Sequence, residues 1–191
     1  AQLGIGPVIE YGFYYDIKLP HAVSDAELAE FEITMRDLIT QKLPFRGEKV
    51  TPQKARSLFK HQPFKIDLIK EFAKEKKQLT VYHTGTFADL CRGGHIKNTS
   101  EINPEAFKLA KVAGAYWRGD EKNPQLTRIY GIAFATKEEL VSHVAFLEEF
   151  RGRNIMLVQR LAALHQIVRL LLQRRLGDCL HIAQQIDAIG V

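Results

Sequence analysis

Strand-forming and helix-forming stretches follow one another in irregular order along this chain, with short strand pairs joined by turns and no regular strand–helix–strand alternation. That order narrows the fold more than any other feature. It points to an α+β domain, an antiparallel sheet with packed helices, followed by a C-terminal helical tail. GPVIEYGFYYDIKL, residues 6–19, gathers β-branched and aromatic residues on either side of Tyr11-Gly12 and predicts a hairpin with its turn at that pair.

A helix should follow over residues 24–43. Ser24 is an N-cap with Glu27 as its capping-box partner, and Leu28, Phe31, Met35, Leu38 and Ile39 recur at helical spacing. Thr51-Pro52 opens a second helix and FKIDLIKEFAKEKK, residues 64–77, a third. QLTVYHTGTFADLC, residues 78–91, reads instead as strand formers broken by a glycine turn, which would carry Asp89 and Cys91 to the mouth of a sheet. NPEAFKLAKVAGAYW, residues 103–117, is read as a short helix running into a strand. LTRIYGIAF, residues 126–134, reads as a further strand and TKEELVSHVAFLEEF, residues 136–150, as a helix.

With 46% hydrophobic and 26% charged residues over 191 positions, the chain has the makings of one globular domain with an appendage. It shows neither an apolar run of membrane-spanning length nor a leader pattern, so the expected compartment is the cytoplasm, with no membrane partner. Cys91 and Cys179 stand in unrelated contexts and are read as free thiols. The net charge of +5 favours a polyanionic partner such as nucleic acid. Residues 1–150 are nearly balanced, at 21 basic and 20 acidic side chains, whereas 151–191 hold six arginines against Asp178 and Asp187, without lysine or glutamate. The expected division is therefore 1–150 and a helical tail, 151–191, whose origin the composition leaves open. Within the tail Leu157, Leu161, Leu164, Val168 and Leu171 predict an arginine-bearing amphipathic helix.

FADLCRGGHIKNTS, residues 87–100, puts Asp89, Cys91 and His95 within seven positions. Residue types alone leave three readings open. Two ligands spaced Cys-x-x-x-His cannot by themselves hold zinc tetrahedrally. A Cys–His nucleophilic pair needs a proximity that sequence does not give. A plain strand-to-turn segment needs neither. Gly4, Gly6 and Gly12 border a hairpin and not a strand-to-helix turn, so they make a poor phosphate loop.

GPVIEYGFYYD, FADLCRGGH and FKLAKVAGAYWRGDEKNPQLTRIYG, taken together, resemble the editing module, or second additional domain, of threonyl-tRNA synthetase, which is shared in relaxed form with alanyl-tRNA synthetase. The resemblance covers about residues 4–150, and AGAYWRGDEKN and RIYG favour the threonyl branch. It implies hydrolysis of serine wrongly attached to threonine tRNA. Such a second sieve is needed because one missing methyl gives only ~1–3 kcal/mol of discrimination. It also implies site residues: Cys91 and His95 from the Cys-x-x-x-His signature, Asp89 two positions earlier, and Lys65 in PFKIDL. Lys65 and His95 would position or polarise the water and the ester, Asp89 would read the aminoacyl group, and Cys91 would line the pocket, without a covalent intermediate.

Under the same resemblance Arg92, Trp117, Arg118 and Lys122 would meet the acceptor end of the tRNA by stacking and phosphate pairing, within a basic face that includes Lys97, Lys108, Lys111 and Arg128. The opposing reading makes Trp117 part of the sheet core. Three departures from the family stand out. Gly94 occupies a position that is proline in threonyl enzymes; the family's His-x-x-x-His helix would precede the hairpin and is not in this sequence; and nothing after residue 150 resembles the class II domain that binds ATP and Mg. No cofactor is expected in this chain, and zinc is not expected either. Hydrolysis by the chain on its own should be weak, and a non-catalytic tRNA-binding or structural remnant is the alternative function.

Overall fold

Thr51 and Ser24 set the starts of two helices in the same way, by turning a side-chain oxygen back onto a backbone N–H of the first turn. In the computed structural model, which describes residues 1–91, 93–153 and 155–156, Ser24 and Glu27 complete a reciprocal capping box at the start of α1 (Asp25–Thr40). Thr51 caps α2 (Pro52–Leu58), and Pro63 at the first position opens α3 (Pro63–Lys74). Residues 137–153 are helical and are called α4. The α+β expectation holds, with antiparallel sheets throughout.

Among the described residues eight strands form two sheets. β1 (Gln2–Leu3) and β2 (Val8–Ile9) both pair with β3 (Gly12–Lys18), which pairs with β8 (Gln125–Ala133), which pairs with β7 (Phe107–Tyr116). β4 (Phe45–Val50), β5 (Leu79–Thr84) and β6 (Phe87–Leu90) form the second sheet in that order. Its register, Gly47 opposite Tyr82 and Tyr82 opposite Asp89, sorts the side chains by the two-residue period of a strand. Val50, Leu79, Val81, Ala88 and Leu90 fall on one face and form a core with Ala55, Phe59 and Ile69 of the α2–α3 region. Phe45, Gly47, Tyr82 and Asp89 fall on the other. A second small core joins Phe64, Trp117 and Leu126.

One compact unit runs from Ala1 to Val141, and a second begins at Ser142. The tail helix expected at 157–171 lies outside the described residues. Two local expectations need correction. The hairpin turn sits at Glu10–Tyr11, one residue earlier than expected, because Gly12 already pairs with Ile9 and opens β3. Residues 103–106 form no helix: Pro104 and Glu105 make a single turn closed by Ala106 N–H on Asn103 O, and the buried Phe107 and Leu109 alternate with exposed Lys108 at strand period. α1 buries only Leu28 and Ile39 of its apolar stripe, while Phe31 and Leu38 stay exposed.

Candidate active site

Lys65 is, with Asp16, a buried charged side chain among the described residues. It is the third residue of α3, where the helix dipole disfavours a cation, and its side chain is only 2% exposed. A buried ammonium is tolerated when it is paired and hydrogen-bonded. Its partner is Asp89 of β6, with Nζ 2.6 Å from Oδ1. Asp89 also accepts from Leu90 N–H at Oδ1 and from the Tyr15 hydroxyl at Oδ2, each at 2.7 Å. The carboxylate is thus held from three directions and keeps one acceptor position, on Oδ2.

Tyr15 comes from β3, so its bond to Asp89 joins the two sheets. Burial pushes the Tyr15 hydroxyl strongly up from its ordinary value, and the Asp89 charge, the hydrogen bond to Asp89 and the charge of Cys91 push it the same way. It therefore stays protonated and donates. The neighbouring Asp16 on the opposite face of β3 takes a bidentate pair from Arg128 of β8, at 2.6 and 2.8 Å, and the Arg128 guanidinium lies 3.8 Å from the centre of the Tyr14 ring. That clamp fixes which face of β3 Tyr15 presents.

Cys91 N–H bonds Thr80 O at 3.1 Å, extending the β5–β6 register by one pair, so Cys91 follows Asp89 on the same face. From there the chain crosses that face to the far side of β4, where Phe45 N–H bonds Lys97 O at 2.9 Å and Pro44 bridges Asn98. The crossing uses Gly93 at φ +109° and Gly94 at φ +82°, conformations that side chains with a Cβ rarely adopt. It lays His95 against Tyr82 at 4.2 Å between ring centres and parallel to Phe45 at 5.4 Å.

Lys65, Asp89, Cys91 and His95 are therefore served by one face of the three-stranded sheet and the edge beside it, with Tyr15, Tyr82 and Phe45 as companions that sequence reasoning missed. Among the described residues no three His, Cys, Asp or Glu side chains are placed to hold a metal ion. The residues expected to meet an acceptor end are placed as follows. Trp117 is 6% exposed, packs on Phe64 at 4.9 Å and donates Nε1–H to Asp67 at 3.0 Å, so its ring offers no stacking surface. Arg118 is engaged by Asp67 at 2.9 Å and Glu71 at 2.6 Å, and Arg128 by Asp16, which leaves neither as an uncommitted member of a basic face. Lys122 is exposed on the β7–β8 turn, and Arg92 lies outside the described residues.

Residues 79–130 match the threonyl and alanyl tRNA synthetase second additional domain. Within that class the chain carries the threonyl form of the domain. It is 47% identical over 154 residues to the threonine–tRNA ligase of Dehalococcoides mccartyi (strain CBDB1) and 45% over 154 to that of Treponema pallidum (strain Nichols), covering 81% of this chain in each case. The threonine–tRNA ligase of Thermotoga maritima is 46% identical over 155 residues, again 81% of this chain. The chain spans about a quarter of the length of these relatives, 26%, 26% and 24% respectively.

Proposed function

We propose that this chain supplies the hydrolytic editing site of a threonyl-tRNA synthetase, removing serine from mischarged threonine tRNA. The observation that carries the reading is the buried Lys65–Asp89–Tyr15 cluster, on the sheet face that also carries Cys91 and, against Tyr82, His95. An ammonium fixed in this way, with two N–H bonds left after Asp89, is suited to stabilising the negative charge that grows on an ester carbonyl oxygen when water attacks. The role first expected of Asp89, reading the aminoacyl group, is reduced to its one remaining acceptor position, and its main task becomes holding Lys65 and Tyr15.

In the proposed reaction a water oxygen bonds to the ester carbon while His95 takes the proton. The bond from that carbon to the ribose oxygen then breaks, and the ribose oxygen recovers a proton from the imidazolium. The products are free serine and deacylated tRNA. Cys91 lines the pocket and forms no bond to the substrate. The tRNA acceptor end is the partner, the cytoplasm the setting, and no cofactor enters.

The test is deacylation of seryl-tRNA and threonyl-tRNA by the chain, by His95→Ala and by Lys65→Met, alongside a binding measurement on each. We expect slow seryl-specific hydrolysis that falls by ~10²-fold in either variant, the contribution of one well-placed acid–base or oxyanion group. Binding without hydrolysis above background would favour a non-catalytic tRNA-binding role, and hydrolysis unaffected by both variants would place the chemistry elsewhere.

A further inference from the structure

We infer that Phe45 and Tyr82 are positioning residues for His95, a two-ring slot that sets the direction of the imidazole in the editing reaction proposed above. Among the described residues His95 makes no hydrogen bond through either ring nitrogen, although a histidine with a fixed task ordinarily has one nitrogen held by a carbonyl or carboxylate. What holds its plane is contact with carbon. The Phe45 ring lies parallel to the imidazole at 8° and 5.4 Å, and the Tyr82 ring meets it at 54° and 4.2 Å, so both rings restrict the same side chain.

The surrounding backbone is shaped around the slot. Gly47 sits directly opposite Tyr82, and a Cβ there would come within 2.9 Å of Tyr82 Cζ, so the missing side chain is what lets the Tyr82 ring lie across β4. A Cβ at Gly93 would stand 3.3 Å from the Tyr82 hydroxyl oxygen, which places the descending limb of the crossing against the same ring. The bond from Phe45 N–H to Lys97 O then ties the residue that forms one wall to the backbone two positions beyond His95. Wall and imidazole are thus registered to each other by a backbone hydrogen bond, and no described residue bonds either ring nitrogen, so both can serve the water and the leaving oxygen.

The experiment uses the whole chain with Phe45→Leu, Phe45→Tyr, Tyr82→Leu and Tyr82→Phe. One readout is independent of activity: the NMR signals of the His95 ring protons, assigned by their loss in His95→Ala. Stacked on Phe45, they should lie upfield of those of other exposed histidines, move toward them in Phe45→Leu and Tyr82→Leu, and keep their positions in Phe45→Tyr and Tyr82→Phe. The second readout is seryl-tRNA deacylation, in which kcat should fall ~10- to 100-fold in the two leucine variants, as expected when a reacting group is displaced by about an ångström, with KM nearly unchanged and recovery in the aromatic variants. Ring signals that do not respond to Phe45→Leu in folded protein overturn the slot whatever the activity. Responsive signals with kcat unchanged overturn its positioning role. Responsive signals in a chain that hydrolyses nothing uphold the slot and sink the functional reading instead.

Discussion

Replacing Lys65 by methionine keeps the length and most of the volume of the side chain and removes only its charge, so the cost measures the ion pair. Lys65 is 2% exposed and Asp89 17%. Removing one partner of a buried pair costs ~3–5 kcal/mol, because the other charge stays behind without compensation. Asp89 keeps the Tyr15 hydroxyl and Leu90 N–H after the change and retains some access to water, which places the expectation at the lower end, about 3 kcal/mol. With a urea slope of ~1–3 kcal/mol per M, the unfolding midpoint should drop by at least ~1 M. Adding Asp89→Asn removes the stranded charge while leaving an oxygen to accept from Tyr15. The double variant should therefore be more stable than Lys65→Met alone. A cost for Lys65→Met below ~1 kcal/mol, the level of an exposed pair, would refute the argument. So would a double variant whose loss equals the sum of the two single losses, since a shared interaction cannot be additive.

Three further outcomes follow from particular contacts. Backbone and side-chain hydrogen bonds from Ser24, and one from His21, hold the Glu27 carboxyl down at about 2 against an ordinary 4.5; its folded value lies below its unfolded one, so its stabilising effect is present above about pH 4.5 and is lost as pH falls through about 2. The stability difference between the wild-type chain and Glu27→Gln should accordingly close over that window, and a constant difference would discount the cap. Trp117 is the only tryptophan, so fluorescence reports on it alone: emission should be blue-shifted and poorly quenched by iodide, and quenching like that of free tryptophan would restore the stacking reading. Gly94→Pro demands φ near −65° where the chain has +82°, so the His95 ring signals should shift and deacylation fall, whereas unchanged signals would mean that the crossing has another path.

Much of the fold was legible because its signals are local. The Ser24–Glu27 box, Thr51-Pro52, and the glycine between TVYHT and FADL each act within four residues, and each marked its element correctly. Where the reading slipped, a non-local partner decided. PEAF favours a helical turn by itself, but Arg36 donates to Pro104 O and Glu32 accepts Leu109 N–H, so α1 fastens this segment in extended form onto the sheet. Phe31 and Leu38 follow helical periodicity as faithfully as Leu28 and Ile39 do; periodicity marks a stripe but not which part of it a neighbour covers.

The site shows the same division more sharply. Asp89, Cys91 and His95 were visible because they are close in sequence, yet their place on one face of the sheet comes from a crossing that needs two glycines at positive φ and an anchor on β4, some 50 residues earlier. Lys65 could be reached from sequence only through resemblance, since nothing in PFKIDL announces a buried ammonium. Tyr15 carried no signal at all: FYY supplies three aromatic residues in a row, and only the alternation of β3, fixed by the Asp16–Arg128 clamp, turns the third toward Asp89 and the second toward Arg128. A shift of β3 by one residue against β8 would exchange those faces and send Tyr15 away from Asp89. The geometry around Lys65 therefore depends on strand register in the sheet that does not contain it, and the Tyr15–Asp89 hydrogen bond is the contact through which that register reaches the site.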